Sequence, residues 1–144
     1  MINPIDGRLA DLDERLFMPR ELSWLSFNAR VLQEAANESV PVIQRLRYLG
    51  IFSSNLDEFF RVRVAEIRRL ITLSTGGKRQ RAKELLETIQ ERVAHLQQEF
   101  DRTQSKVMAE LKRRHIYIID ETELSRRQLT YVEDYFAKHV LPAL

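Results

Sequence analysis

Apolar residues recur at three- and four-residue spacing along most of this chain, the period of helices that bury one face. Trp24, Phe27, Val31, Leu32 and Ala35 predict a first amphipathic helix, with Ser23 as its N-cap and Leu22 stapled to Phe27. Asn37-Glu38-Ser39 ends it. Pro41 suits the first turn of a short second helix that turns Val42, Ile43, Leu46 and Leu49 inward, and Gly50 can take the left-handed conformation that stops it. A third helix is expected from about Asn55 to Leu73, capped by Ser53 or Ser54, with Asp57 and Glu58 in its first turn where free N–H groups favour negative charge. At about 100° per residue, Leu56, Phe59, Phe60, Val62, Val64, Ile67, Leu70 and Ile71 share one broad arc of this helix. Arg63 and Glu66 fall inside that arc. An unpaired guanidinium there is costly, so the pattern calls for an i,i+3 ion pair of Arg63 with Glu66 or a carboxylate from a neighbouring helix; a cleft facing Arg63 is the alternative.

Thr75-Gly76-Gly77-Lys78 breaks the pattern most clearly. Beyond it, Ala82, Leu86, Ile89, Val93, Leu96, Phe100, Thr103 and Val107 alternate steps of four and three, a heptad-like seam. A helix from about Arg81 to Arg114 would be roughly 50 Å long; it can pair with the preceding helix as an antiparallel hairpin or project toward a partner subunit, and the matching apolar face at the tail of the preceding helix favours the hairpin. The run HIYIID (His115 to Asp120) favours β-structure. Leu124 and Ser125, with Gln128 three residues on, form a staple and capping box for a last helix carrying Leu129, Val132, Phe136 and Val140 on one face, stopped by Pro142. The expected fold is all-α: an antiparallel helical bundle with one long heptad-like helix, followed by a short strand and a terminal helix. Residues 1–18 form a weakly ordered leader, 19–115 an N-terminal helical domain, and 116–144 the start of a second, truncated domain.

Composition narrows the function classes. Among 144 residues, 31% are charged and 44% hydrophobic, as in a globular protein able to build a core, and the scarcity of glycine and proline (four each) favours long helices. The net charge of +2 is too small to argue for a polyanionic partner by itself, although the pI near 9.1 leans that way, and no nucleic acid is expected. The middle of the chain is locally basic: Arg61, Arg63, Arg68, Arg69, Lys78, Arg79, Arg81 and Lys83 face one acid, Glu66. Without cysteine there is no disulfide, thiol nucleophile or thiolate metal site. No apolar run spans a membrane and the N-terminus lacks a signal peptide's pattern, so a cytoplasmic location is expected.

The chemistry-bearing residues are sparse. His95, His115 and His139 are far apart, no metal-ligand spacing occurs, and Gly76-Gly77-Lys78 is a linker rather than a phosphate cradle. Asp57 and Glu58 point about 100° apart and make a poor acid/base pair. Trp24 and the Phe59-Phe60 pair fit a core. Read from its residues alone, this is a helical binding or interaction module.

Two long stretches carry a resemblance. RELSWLSFNARVLQEA at Arg20 to Ala35, then RLRYLGIFSSNLDEFFRVRVAEIRR at Arg45 to Arg69, closely resembles the N-terminal domain of bacterial polyphosphate kinase, with weaker similarity through the HIYIID run and the YVEDYFAKHVLPAL helix, which looks like the start of the family's head domain. The resemblance implies an enzyme that reversibly transfers the γ-phosphoryl group of ATP to inorganic polyphosphate through a phosphohistidine, with Mg²⁺. It further implies that this domain covers the nucleotide, supports subunit assembly as a homodimer, and contacts ATP through the asparagine of the S-x-N-L-D-E-F motif, here Asn55. Beside it, Tyr48, Leu49 and Phe52 are candidates to cover the adenine. Arg63 and Glu66 are expected to be a structural ion pair. The phosphohistidines belong to C-terminal domains absent from this sequence, so none of the three histidines inherits that role, and the segment is expected to be inactive alone and to hold neither ATP nor Mg²⁺ by itself. A helical adaptor binding a polyanion through the basic 61–83 region is the competing reading.

Overall fold

The computed structural model describes residues 19–144; the leader expected over residues 1–18 lies outside the described residues. The elements in order are α1 (Arg20–Ala36), α2 (Val42–Phe59), a π turn (Phe60–Val64), α3 (Ala65–Leu73), α4 (Gly76–Arg113), α5 (Arg126–Tyr135), a second π turn (Phe136–Val140) and a 3-10 turn (Leu141–Ala143). The described chain divides into two compact units between Val107 and Met108, inside α4.

In the first unit, α1 starts earlier than its polar residues suggest. The Ser23 N–H donates to the Pro19 carbonyl (3.1 Å), so Pro19, with φ fixed near the helical value, stands at the cap position and Ser23 lies inside the helix. The buried stripe is Leu25, Asn28, Ala29, Leu32 and Ala35. Phe27 is 59% exposed and takes no part in it. After Asn37 the chain turns: the Asn37 Oδ1 accepts from the Ser39 N–H and hydroxyl, and Pro41 precedes α2. At the C-terminal end of α1, where carbonyls lack helical partners, the Nε of Arg45 donates to the Ala35 carbonyl at 2.8 Å; Arg45 is 2% exposed.

The helix that follows is not two helices but one. Gly50, Ser53 and Ser54 lie within α2, and backbone helix continues without interruption from Val42 to Leu73. Neither serine caps anything, because the N–H groups that a cap would satisfy already have carbonyls one turn earlier. Gly50 does not need the left-handed conformation; Gly76 does, with φ of 59° as the chain re-enters helix after the two-residue break at Ser74-Thr75.

Cross-helix partners fix the topology. Trp24 stacks on Phe59 (4.8 Å), Asn28 bonds to the Phe52 carbonyl, and Arg45 bonds to Ala35, so α1 and α2 are antiparallel. Phe52 of α2 stacks on Phe100 of α4 (5.4 Å). Surface grooves lined by Leu22, Ser26, Thr88 and Arg92, and by Leu32, Gln33, Glu99 and Thr103, show α1 running alongside α4 in the same direction. The unit is thus an up-down-up three-helix bundle, as the all-α prediction requires. The α4 seam is buried at Ala82, Ile89, Leu96, Thr103 and Val107, and with 38 residues α4 is about 57 Å long.

The π turn decides which residues face the core. Buried positions run Leu49, Phe52, Phe59, Val64 and Ile67. The step from Phe59 to Val64 is five residues, where an unbroken α-helix would bring in Arg63 at four and Glu66 at seven. One extra residue in the turn places Val64 (2% exposed) and Ile67 (6%) inward and carries Arg63 and Glu66 outward. The arc expected for Arg63 and Glu66 is therefore corrected: they do pair, Nη1 to Oε2 at 3.2 Å, but on the solvent face. Burying two apolar side chains instead of an ion pair avoids the desolvation of both charges.

The second unit opens with the end of α4, from Met108 to Arg113. Its end is a Schellman motif: the Ile116 N–H reaches the Leu111 carbonyl (2.9 Å), the His115 N–H reaches Lys112 (3.0 Å), and His115 takes φ of 59° where glycine is usual. The strand expected over the HIYIID run does not form. These residues have no ladder partner among the described residues, and without one a β-favouring run is only exposed extended chain, as Tyr117 and Ile118 show. Asp120 then forms a turn, its carboxylate accepting from the Thr122 N–H (2.8 Å) and hydroxyl (2.6 Å). Those bonds, the hydroxyl's first, hold its pKa below the ordinary 3.8. The Ser125–Gln128 capping box launches α5 as expected, and none of the residues of α5 is buried.

Candidate functional site

Of the candidate residues, Asn55 lies on α2, one turn from its C-terminal end and well inside helix, not at a helix mouth. Its surroundings therefore offer no free backbone N–H groups for an anion. What holds it is a side chain on α1. The Asn28 Nδ2 donates to the Phe52 carbonyl at 3.1 Å, and the Asn55 Nδ2 donates to the Asn28 Oδ1 at 3.1 Å. Asn28 is wholly buried and Asn55 half-buried. The amide of Asn55 thus has one inward bond, while its Oδ1 has no partner among the described residues.

The neighbouring candidates divide. Tyr48 is half-buried. Leu49 (3% exposed) and Phe52 (1%) are core residues, Phe52 stacked on Phe100, so neither has a face left to cover a purine, and that expectation is corrected. Both lie on the inward stripe of α2, about three and two turns before Phe59. Asn28 was legible only as a polar residue interrupting an apolar stripe, between Leu25 and Leu32; the buried Arg45 carried the same signal.

Around the site the charges are solvated. Arg61 pairs with Glu58 and Arg63 with Glu66, each on the surface. All the basic residues from Arg61 to Lys83 are exposed. The three histidines remain scattered: His95 lies 3.6 Å from Glu99, His115 ends α4, and the His139 ring lies beside Tyr135. Among the described residues no cluster could hold a metal ion, and no helix is long and apolar enough to cross a membrane.

Comparison with known proteins gives one consistent result. The family described as polyphosphate kinase N-terminal domain matches residues 17–119. A polyphosphate kinase of Vibrio cholerae is 48% identical over 131 residues, 90% of this chain and 18% of that protein. The Escherichia coli K12 polyphosphate kinase is 46% identical over 136 residues, 91% of this chain and 20% of that protein, and the one of Yersinia pestis is 44% identical over 88% of this chain. The chain therefore spans about a fifth of the length of these relatives. No solved structure matches it.

Proposed function

Because this chain belongs to the family of polyphosphate kinase N-terminal domains, we propose that it is the nucleotide-covering segment of an ATP:polyphosphate phosphotransferase, with Asn55 as its ATP contact. The observation that carries the site is the half-buried Asn55 amide, anchored from within by Asn28 and with its Oδ1 unengaged among the described residues. An amide held in one orientation can meet a purine or ribose edge without first losing rotamer freedom. Tyr48, half-buried one helical turn before Phe52, is the remaining candidate for an aromatic neighbour of the base. The phosphates of ATP, Mg²⁺ and the phosphohistidine are assigned to the remaining domains of the enzyme, the partners of this segment. Subunit assembly belongs to the same proposal: the α4 seam is buried within the chain, so a partner subunit would meet exposed apolar side chains such as Phe27, Ile51 and Leu73.

The test is steady-state kinetics of the full-length enzyme carrying Asn55→Ala. A several-fold rise in KM for ATP, with thermal stability unchanged within a few degrees, is expected from the loss of one polar contact of about 1 kcal/mol. Unchanged KM and kcat would remove Asn55 from the site. The 144-residue chain alone is expected to transfer no phosphoryl group from ATP to polyphosphate.

A polyanion-binding adaptor remains the second reading, favoured by one observation: every basic residue between Arg61 and Lys83 is solvent-exposed around the end of the α3–α4 hairpin.

A further inference from the structure

We infer that Asn28 is a positioning residue for ATP binding, setting which edge of the Asn55 amide faces outward. The inference rests on Asn55 being the ATP contact. Its logic is the polarity of three groups in a row. The Phe52 carbonyl can only accept, so the Asn28 carboxamide must turn its Nδ2 toward it, at 3.1 Å. That leaves the Asn28 Oδ1, a pure acceptor, facing Asn55. Asn55 must answer with a donor, so its Nδ2 turns inward and its Oδ1 turns away from Asn28. A backbone carbonyl of α2 thus dictates, through a buried side chain of α1, the orientation of an amide one turn further along α2.

Two observations make this more than core filling. Asn28 is 0% exposed in a stripe otherwise made of leucine and alanine, where an apolar residue of equal size would pack without any polar group to satisfy. Moreover, both of its amide atoms are engaged, so it has no freedom to flip. Without it, Asn55 could rotate its amide by 180° or hydrogen-bond to water, and only a fraction of the enzyme would present the Oδ1 outward.

The test is a double-mutant cycle in the full-length enzyme. Asn28→Leu keeps the branched shape of the side chain and removes both hydrogen bonds; Asn28→Ala is the second variant should the first overpack the site, and thermal melting is recorded for each. In the Asn55 background, Asn28→Leu is expected to raise KM for ATP about three- to tenfold with kcat little changed. In an Asn55→Ala background the same substitution should leave KM for ATP unaltered, because the amide it orients is gone. Equal effects in both backgrounds, or no effect in the first, overturn the positioning role while leaving Asn55 in place. If Asn55→Ala itself changes nothing, the ATP-contact reading fails first, and the positioning role fails with it.

Discussion

At the scale of single residues, the backbone of His115 is the most informative strain. A non-glycine residue in the left-handed region costs about 1–2 kcal/mol, and the Schellman bonds at the end of α4 hold it there. His115→Gly relieves that cost but frees the unfolded chain, so a net gain in stability of up to about 1 kcal/mol is expected by denaturant unfolding. His115→Val, β-branched, should instead lose about 1 kcal/mol or more. Asp120 gives a pH-dependent counterpart. Its carboxylate is held below 3.8 by the Thr122 hydroxyl and N–H, so the support it lends the turn is complete above pH 3.8 and is lost as pH falls through its depressed pKa. An NMR titration should place the Asp120 midpoint below 3.8, and Thr122→Ala should move it upward, since the hydroxyl bond is the largest cause of the shift.

Among the elements, the Phe60–Val64 π turn is the one on which the bundle's packing depends. Deleting the exposed Val62 leaves Val64 four residues after Phe59, so an ordinary α-helix would keep Phe59, Val64 and Ile67 on one stripe. The expected outcome is near-wild-type stability, within about 1 kcal/mol, with the π turn replaced by α-helix. Deleting Ser54 instead rotates everything after it by about 100° relative to Leu49 and Phe52, and should cost several kcal/mol because Phe59 leaves its place beside Trp24. Chemical denaturation of the two deletion variants checks the pair. If both lose stability equally, the extra residue is not what sets the register.

For the whole molecule, the exposed basic residues between Arg61 and Lys83 are where the two readings of its role predict different behaviour. Binding of the isolated chain to polyphosphate, measured across 50 to 200 mM salt as a range over which polyanion contacts weaken sharply, separates the two readings. The nucleotide-covering segment is expected to bind weakly and with a shallow slope; steep, tight binding would favour the adaptor.

Much of the fold is legible in the sequence. The periods of α1 and α4, the Ser125–Gln128 capping box and the break near Gly76 are local features, written in residues a few positions apart, and the two motif-bearing stretches sufficed to point to the family. The amide site was half legible: Asn55 stood out by its motif, Asn28 only as a polar interruption of an apolar stripe. Local rules failed wherever two outcomes differed by little until a neighbour was present. Ser53, Ser54 and Gly50 read as an end and a beginning, yet the inward stripe of α2 favours one continuous helix because Leu49, Phe52 and Phe59 gain their burial together. A β-favouring run without a partner strand stays extended chain. The inward place of Val64 rather than Arg63 follows from a one-residue adjustment that no periodicity contains. Sequence alone determined helix, hairpin and family, because those depend on short-range pattern; tertiary packing decided which face turned inward and which edge of Asn55 turned out, because those depend on the helix packed alongside.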